Sequence, residues 1–579
     1  HETPFTCAGG KEKCDLKCSI SRIRIEGQLF PFGGACNRYY NKKSSFSVDE
    51  EKFDFVKKRT DLVFGKYAPI ASQPATGPVI GINRSFLVHR LFPFFYNYFT
   101  TLGCRVVSPS EMNDEALNRQ TSSMCFPAQI AIGMFDKLTQ SNPDYYFMPH
   151  IEEMHVPGGN TRKEFSTTCL FIQGEAFWMR QIFKDKQVDR KMLAPTINFS
   201  GGWERGRKQF LEIAGVLGFD KKKSDKAFDK ACAMQDQFEE ELRKLGRQAL
   251  EQLHSDPAAI ATVILGRPYN AMADEANKGI PKKIATRGHM VIPFDMLPWD
   301  KEPIAYPHDD YLHWEIGNQL LRASQLVKRD PQLYGVFITN FLCAIDSLLV
   351  TYFRKMMGTK PSLTLELDGH TADAGVNTRI DAFLDIIHNY LKVQKEIGAR
   401  AIKTDFVPAV AYQDNTGIVF VGSDGKRFPL KHPRVKMIIP SMGDLANTLF
   451  AAVFHKLGIT AIPMQVADTE ILRLGRGVTT CKECLPMIVC IGTMLKYLET
   501  RKDPDEKLIV FQPRAAGYCR LGQYHAYMNM MIREREIKDM AVLALANEER
   551  YSGFGPTFAF HGWEAIVVSD VMDDIRNTM

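Results

Sequence analysis

One short pattern occurs twice in this chain, and the repetition constrains the fold. The first copy is Cys125-Phe126-Pro127 followed by Ile132-Gly133; the second is Cys484-Leu485-Pro486 followed by Ile491-Gly492. In both, the Gly stands eight residues after the Cys. The flanks agree as well. Upstream, an apolar run leads into a helical pattern ending Leu102-Gly103 or Leu457-Gly458, and a second apolar run follows at 105–107 or 460–463. Downstream come Phe147-Met148-Pro149 and Phe511-Gln512-Pro513, then a further Cys with Gln four residues later, Cys169…Gln173 and Cys519…Gln523. An internal duplication that keeps two cysteines per copy is the strongest signal in the sequence.

A Cys followed at once by an apolar residue and Pro reads as a loop tip opening a helix. Pro suits the first helical turn, where its missing N–H has no helical acceptor. The free amides and positive end of that helix stabilise a thiolate, which serves as a metal ligand or a reactive sulfur. A single free cysteine is more often inert packing. Packing, however, does not demand the same sulfur twice.

With 579 residues the chain is long enough for three or four domains. Its net charge of +6 is mild and dispersed, and no basic-aromatic pattern points to nucleic acid. No run of about 18 apolar residues marks a membrane span, and no signal peptide is visible. The 13 cysteines are an odd number without secretory features, which points to a cytoplasmic protein using thiols for metal or redox chemistry rather than disulfides. The start at His1-Glu2-Thr3-Pro4 and the helix-like end after Ser569 suggest a piece of something longer or a processed chain.

Residues 1–45 read as a Cys-rich metal module, with Cys7, Cys14, Cys18 and Cys36 around a hairpin centred on Glu26-Gly27. So small a module needs a staple, and four thiolates suit either zinc or an iron–sulfur cluster. Residues 46–77 read as a charged linker. A first α/β domain spans 78–223, a long amphipathic helix with Ser224 as its cap lies within 224–260, and a second α/β unit spans 261–404. A polar hairpin insertion covers 405–434, and the duplicated α/β domain covers 435–579. Strand–helix alternation predicts tandem parallel, doubly wound sheets. Ligands of such sheets bind beyond the carboxyl ends of the strands. Cys125, Cys169 and Cys343 all follow predicted strands. His150 and His155 lie at such an end, as ligands, acid–base groups or plain hydrogen-bonding residues. Arg267, with Tyr269 and Asn270, follows another strand. Asp368, His370 and Asp373 suit binding a metal, positioning a substrate, or hydrogen bonds to neighbouring backbone. In the tail, 529–550 reads as a helix and 564–569 as a strand. Walker A, Gly-x-Gly-x-x-Gly and Gly-x-Ser-x-Gly motifs are missing, so any nucleotide-driven step belongs elsewhere.

Several stretches together carry a family resemblance: Phe30 to Tyr40, Leu265-Gly266-Arg267-Pro268-Tyr269-Asn270, Thr339 to Ser347 around Cys343, Glu366 to Gly375, Cys481 to Pro486, and Gly517 to Tyr524. The chain resembles the large activase and dehydratase-like proteins of the 2-hydroxyacyl-CoA dehydratase, benzoyl-CoA reductase and double-cubane cluster superfamily. The resemblance implies an iron–sulfur component that receives low-potential electrons from an ATP-hydrolysing iron–sulfur activator, a separate chain or a region before residue 1. It implies cubanes each held by three cysteines, an [8Fe–9S] double cubane among the forms, in a homo- or hetero-oligomer. Cys125, Cys169, Cys343, Cys484 and Cys519 match the motif positions, and Cys481 and Cys490 are spare candidates for a sixth ligand. Ala344-Ile345 stands where the family pattern usually has Gly-Pro, which leaves cluster type and ligand set open. His150, Arg267 and Arg520 are candidate substrate contacts; Arg520 would alternatively stabilise a reduced cluster. These readings converge on a reductase or dehydratase-like enzyme whose two halves share one thiol-lined cleft. A non-catalytic electron-transfer or cluster-carrying subunit, and a zinc-stabilised binding protein, are the alternatives.

Overall fold

A computed structural model describes the whole chain apart from residues 1, 9–16, 26–27, 35–38, 40–49, 71–76, 121, 158–165, 304–311, 398–404, 416, 442, 481, 515–518, 546–550 and 556. The chain forms two compact units, His1–Ile304 with Trp314–Ala399, and Ala305–His313 with Arg400–Met579.

The expected α/β class is present, and among the described residues each of the three expected α/β regions carries a four-stranded parallel sheet. In the first sheet the strands lie in the order Arg105–Val107, Val79–Ile82, Tyr145–Phe147, Met192–Leu193, all parallel. In the second the order is Met290–Pro293, Ala261–Leu265, Leu333–Asn340, Ser362–Leu367, again all parallel. The second unit repeats it with Ala461–Pro463, Val435–Ile439, Lys507–Phe511, Met540–Leu543. Each sheet therefore runs second, first, third, fourth strand. The direction in which successive strands are added reverses at the first strand, which opens a crevice between its carboxyl end and that of the third. Strands buried on both faces, such as Leu333–Asn340, are near-continuous apolar runs, as covered parallel sheets require.

In the first unit, helix Val88–Leu102 packs against the long helix Lys221–His254 through aromatic contacts. The Phe94 ring meets Phe95, Phe199, Trp203, Phe210 and Phe228 at centroid separations of 5.2–5.9 Å. The long helix is capped not by Ser224 but by Asp220, whose side chain accepts from the Lys223 amide at 2.8 Å. Ser224 lies one turn further in, buried against the Tyr98 hydroxyl at 3.0 Å. Of the stretch read as a linker, Phe55–Asp61 and Leu62–Lys66 are helical, with Phe55, Val56, Leu62 and Val63 buried. The amino-terminal hairpin pairs Ser19–Ile25 with Gln28–Phe32 antiparallel. Cys7 and Cys18 lie beside it, the Cys7 amide donating to the Cys18 carbonyl at 2.8 Å, while Cys14 and Cys36 fall outside the described residues.

In the second unit, Val410–Asp414, Gly417–Val421 and Arg427–Pro429 form a small antiparallel sheet. The tail differs from the sequence reading. Residues 529–550 are not one helix: Tyr524–Glu534 is helical, and Met540–Leu543 is the fourth sheet strand. A four-residue apolar run does not distinguish strand from helix until a neighbour pairs with it. Nor is 564–569 a strand; it lies inside helix Phe558–Thr578, which packs on Asp444–Lys456 through Phe558, Gly562 and Ala565.

The duplicated Ile-Gly now has a cause. A Cβ on Gly492 would lie 2.0 Å from the Ile471 carbonyl oxygen, where helix Thr469–Arg476 crosses Leu485–Thr500. In the first copy a Cβ on Gly133 would lie 3.0 Å from the Asn113 oxygen, beside the short helix Asp114–Arg119. Gly492→Ala is expected to force the two helices apart and destabilise by about 2 kcal/mol. Denaturant unfolding of the variant checks this, and an unchanged midpoint would contradict it.

Candidate metal centre

Four of the motif cysteines share one backbone setting. Cys125, Cys169, Cys484 and Cys519 each occupy the N-cap of a helical turn with φ between −66° and −70° and ψ between 131° and 153°. Pro127 and Pro486 stand in the first turn of 15- and 16-residue helices, as the Cys–apolar–Pro pattern predicts. The sulfurs thereby sit at helix starts, where the Ala128 amide acts on Cys125 and the Phe171 and Ile172 amides on Cys169.

In the first unit, Cys125, Cys169 and Cys343 come from three different strand-end loops and interact electrostatically with one another and with Arg267. Arg267 caps the turn Pro268–Ala271, directly after strand Ala261–Leu265. A Cβ on Gly266, where φ is +144°, would meet the Ile338 oxygen at 2.5 Å, so this turn requires glycine. The Arg267 side chain is 1% exposed. It donates to Asp346 Oδ2 from Nη2 at 2.8 Å and from Nε at 3.2 Å, and also to Asn340 Oδ1. The Thr339 hydroxyl donates to the same Asp346 oxygen at 2.7 Å, whereas Asp346 Oδ1 is buried without a hydrogen-bond partner. The Asp346 amide in turn donates to Cys343 Sγ at 3.4 Å.

Burial governs the thiols. It pushes Cys125 up to about 11, opposed by Arg267 and the Ala128 amide and reinforced by Cys169. Cys169 and Cys343 are also raised by burial, again opposed by Arg267. Cys125 and Cys169 each add to the rise at Cys343. The one guanidinium is already matched by Asp346, so three thiolates here would leave uncompensated negative charge. Metal binding removes the thiol protons and supplies the missing positive charge. The donor set is therefore suited to a soft metal. Among the described residues, no three His, Cys, Asp or Glu side chains close tightly enough around a point to hold a single ion. The thiolates of a cubane sit outside a body several ångströms across, a spacing unlike that around one ion.

Beside Cys169 lies a cavity of about 20 Å³ lined by Phe86, Arg90, Ile172, Tyr269 and Glu315 among others. The Tyr269 phenol is buried and faces Arg267, Cys169 and Cys343. Leu342, next to Cys343, has φ of +64° with its side chain 67% exposed, an uncommon strained setting for leucine.

The second unit gathers Cys484, Cys490 and Cys519 around Tyr524. The Tyr524 hydroxyl and Cys484 Sγ are 2.7 Å apart. Burial pushes Cys490 up to about 12, with Cys484 adding to the rise. Arg520 opens the turn after Cys519. Cys481 falls outside the described residues.

The other candidates have local partners. His150 is buried, its ring 4.5 Å from Phe177 and its Nδ1 against the Gln173 carbonyl, and burial holds its pKa below the ordinary value. His155 Nδ1 faces the Ser200 carbonyl at 3.2 Å. Asp368 accepts from the Thr371 hydroxyl at 2.8 Å and the His370 amide at 3.0 Å, the loop-closing alternative, and Asp373 pairs with buried Lys283 at 2.6 Å. Sequence reasoning did not single out Asp346 or Tyr524. The available signals were an Asp three residues after Cys343 and a Tyr five after Cys519.

Residues 79–297 match the family model described as the CoA enzyme activase uncharacterised domain. That relates this part of the chain, which carries Cys125, Cys169 and Arg267, to CoA enzyme activation. No curated protein matches the sequence significantly. Among solved structures, similarity extends to the C-terminal domain of glucosamine-fructose-6-phosphate aminotransferase from Francisella tularensis, at 12% identity over 60% of this chain and 98% of that one, with a TM-score of 0.16. It extends also to glucosamine-6-phosphate deaminase from Thermotoga maritima, at 8% identity over 59% of this chain and 93% of that one, with a TM-score of 0.13. Scores this low carry no argument. Among the described residues no helix is long and apolar enough to cross a membrane.

Near the first sheet's crevice, Glu175 is buried and accepts at Oε1 from the Ser85 hydroxyl (2.5 Å) and the Asn83 side-chain Nδ2 (3.0 Å). Burial still lifts its pKa to about 7 from 4.5. A raised carboxyl keeps its proton in the folded state while the unfolded chain releases it, so stability falls as pH rises between these two values. The loss is on the order of 3 kcal/mol once both states are ionised. Glu175→Gln keeps the Ser85 acceptor and lacks the charge. It is expected to match the wild type near pH 4.5 and to exceed it near pH 8; thermal unfolding across that range would refute this if the difference stayed constant.

Proposed function

We propose that this chain is an iron–sulfur component of the activase and dehydratase-like class, receiving low-potential electrons from an ATP-hydrolysing activator for use on an acyl-CoA-type substrate. The observation that carries the reading is the meeting of Cys125, Cys169 and Cys343 around one buried, charge-balanced arginine. Three cysteines, with no fourth thiol beside them among the described residues, suit a cubane with one iron left open. The family match over 79–297 supports the link to CoA enzyme activation.

A bound cluster would supply one-electron reduction at negative potential. The chain's own residues would do the rest. In the first unit Cys125, Cys169 and Cys343 would hold a cluster; in the second unit, taken by itself, Cys484 and Cys519 are the candidate ligands. Buried Phe126 and Pro127 would exclude water, keeping the local dielectric low. Arg267 would offset thiolate charge while Asp346, through its amide and carboxylate, fixes the Cys343 loop. Zinc remains the competing occupant for the amino-terminal cysteines.

Anaerobic purification followed by iron, sulfide and zinc analysis tests the reading. Iron and acid-labile sulfide in near-equal amounts, several per chain, are expected. Replacing Cys125, Cys169 or Cys343 with Ser should each lower the iron content while leaving the far-UV spectrum intact. Zinc alone would refute the proposal. An iron protein that accepts electrons from an ATP-driven activator but reduces no acyl-CoA would instead be a cluster carrier.

A further inference from the structure

Tyr524 opens the helix Tyr524–Glu534 and is 3% exposed. It follows Cys519 by a single short turn, Arg520–Gln523. Its hydroxyl lies 2.7 Å from Sγ of Cys484, the residue that caps helix Leu485–Thr500. One buried side chain thus ties together two helix starts that carry candidate ligands. Among the described residues Cys484 is the phenol's one hydrogen-bond partner.

This tie belongs to the second copy alone. The duplication sets Cys519-Arg520-Leu521-Gly522-Gln523 against Cys169-Leu170-Phe171-Ile172-Gln173, and the next residue is Tyr524 in one and Gly174 in the other. Glycine has no side chain to reach a sulfur. Cys125, the counterpart of Cys484, has the Ala128 amide beside it and, among the described residues, no hydroxyl bonded to it.

In the bare protein either atom of the Tyr524–Cys484 pair can donate. A metal-bound cysteine sulfur carries no proton, so the phenol is then the donor and the thiolate the acceptor. A hydrogen bond strengthens as its acceptor becomes more negative. An electron added to a cluster puts more charge on its thiolates, so a donor aimed at one of them favours the reduced state. Burial, reinforced by Cys484, holds the phenol's pKa above its ordinary value, so it keeps its proton.

We propose that Tyr524 is the tuning residue of the second unit: its phenol donates to Cys484 Sγ when that sulfur holds iron, and makes the bound cluster easier to reduce. The inference rests on the iron–sulfur reading of these cysteines. No covalent bond changes: one electron arrives from the low-potential donor, and the phenol proton stays on oxygen.

Tyr524→Phe in the full chain, purified anaerobically, tests it. Iron and sulfide are counted first, and the reduction midpoints are then read by potentiometric titration with electron paramagnetic resonance. Iron content is expected to match the wild type. One midpoint should fall by a tenfold change in the reduction equilibrium, ~59 mV for one electron. The fall should be equal at neutral and alkaline pH, because no proton moves. Fluorotyrosine at position 524, a stronger donor of the same shape, should raise that midpoint instead. Tyr527→Phe removes another buried hydroxyl, one that donates to the Val478 carbonyl, and should leave every midpoint in place. Unchanged midpoints in an iron-loaded Tyr524→Phe, loss of its iron, or an equal shift in Tyr527→Phe would overturn this inference alone. A wild type without iron would overturn the functional reading and this inference with it.

Discussion

The first unit's crevice is organised by a shortage of positive charge. Three thiols from separate loops face one guanidinium, and that guanidinium is spent on Asp346. In dense surroundings each thiol raises or is raised by its neighbours, so the protonated state is the resting state of the bare protein. The arrangement is quiet as thiols and demanding as thiolates. That asymmetry favours an occupant that brings its own positive charge, and it explains why polar groups with no reason to be buried individually are buried together. Removing either member of the Arg267–Asp346 pair would strand a charge in the interior, so the pair braces the loops as well as setting the field.

The backbone supplies the convergence. A parallel sheet in the order second, first, third, fourth strand aims the loops after its first and third strands into one crevice. The second sheet places Arg267 after its first strand and Cys343 after its third. Helix starts do the rest: Cys125, Cys169, Cys484 and Cys519 each hold the extended N-cap position of a helical turn. Glycines permit the close approaches. Gly492 admits a neighbouring helix backbone, and Gly266 lets the chain turn sharply from strand into the Arg267 cap.

Much of the scaffold was legible before any coordinates. The Cys–apolar–Pro pattern has a local cause in helix starts, and it placed both long helices at the right residue. Alternating apolar runs identified parallel sheets because strands covered on both sides have few polar options. The three α/β regions were legible as well, but not that all three share one strand order, since strand order is not a local property and the middle region lacks the Cys–apolar–Pro signature that marks the other two. The tail was misread for a related reason. Residues 564–569 look like a strand because apolar residues fall on consecutive positions; they are consecutive because the helix uses two faces, one against Phe450 and one toward solvent. The cap of the long helix moved from Ser224 to Asp220 because Tyr98, distant in sequence, buries Ser224.

By itself the sequence determined some local starts, above all the helices opened by Cys125 and Cys484, and that sulfur recurs at equivalent points. These depend on a few neighbouring residues and on backbone sterics. The tertiary structure decided which sulfurs meet, that Arg267 is buried with Asp346 rather than open to a substrate, that Cys490 joins Cys484 and Cys519 beside Tyr524, and which face of the last helix is left bare. Charge balance and burial depend on everything packed around a group, and residues brought in from 79 positions away, as Asp346 is to Arg267, leave no mark in the local sequence.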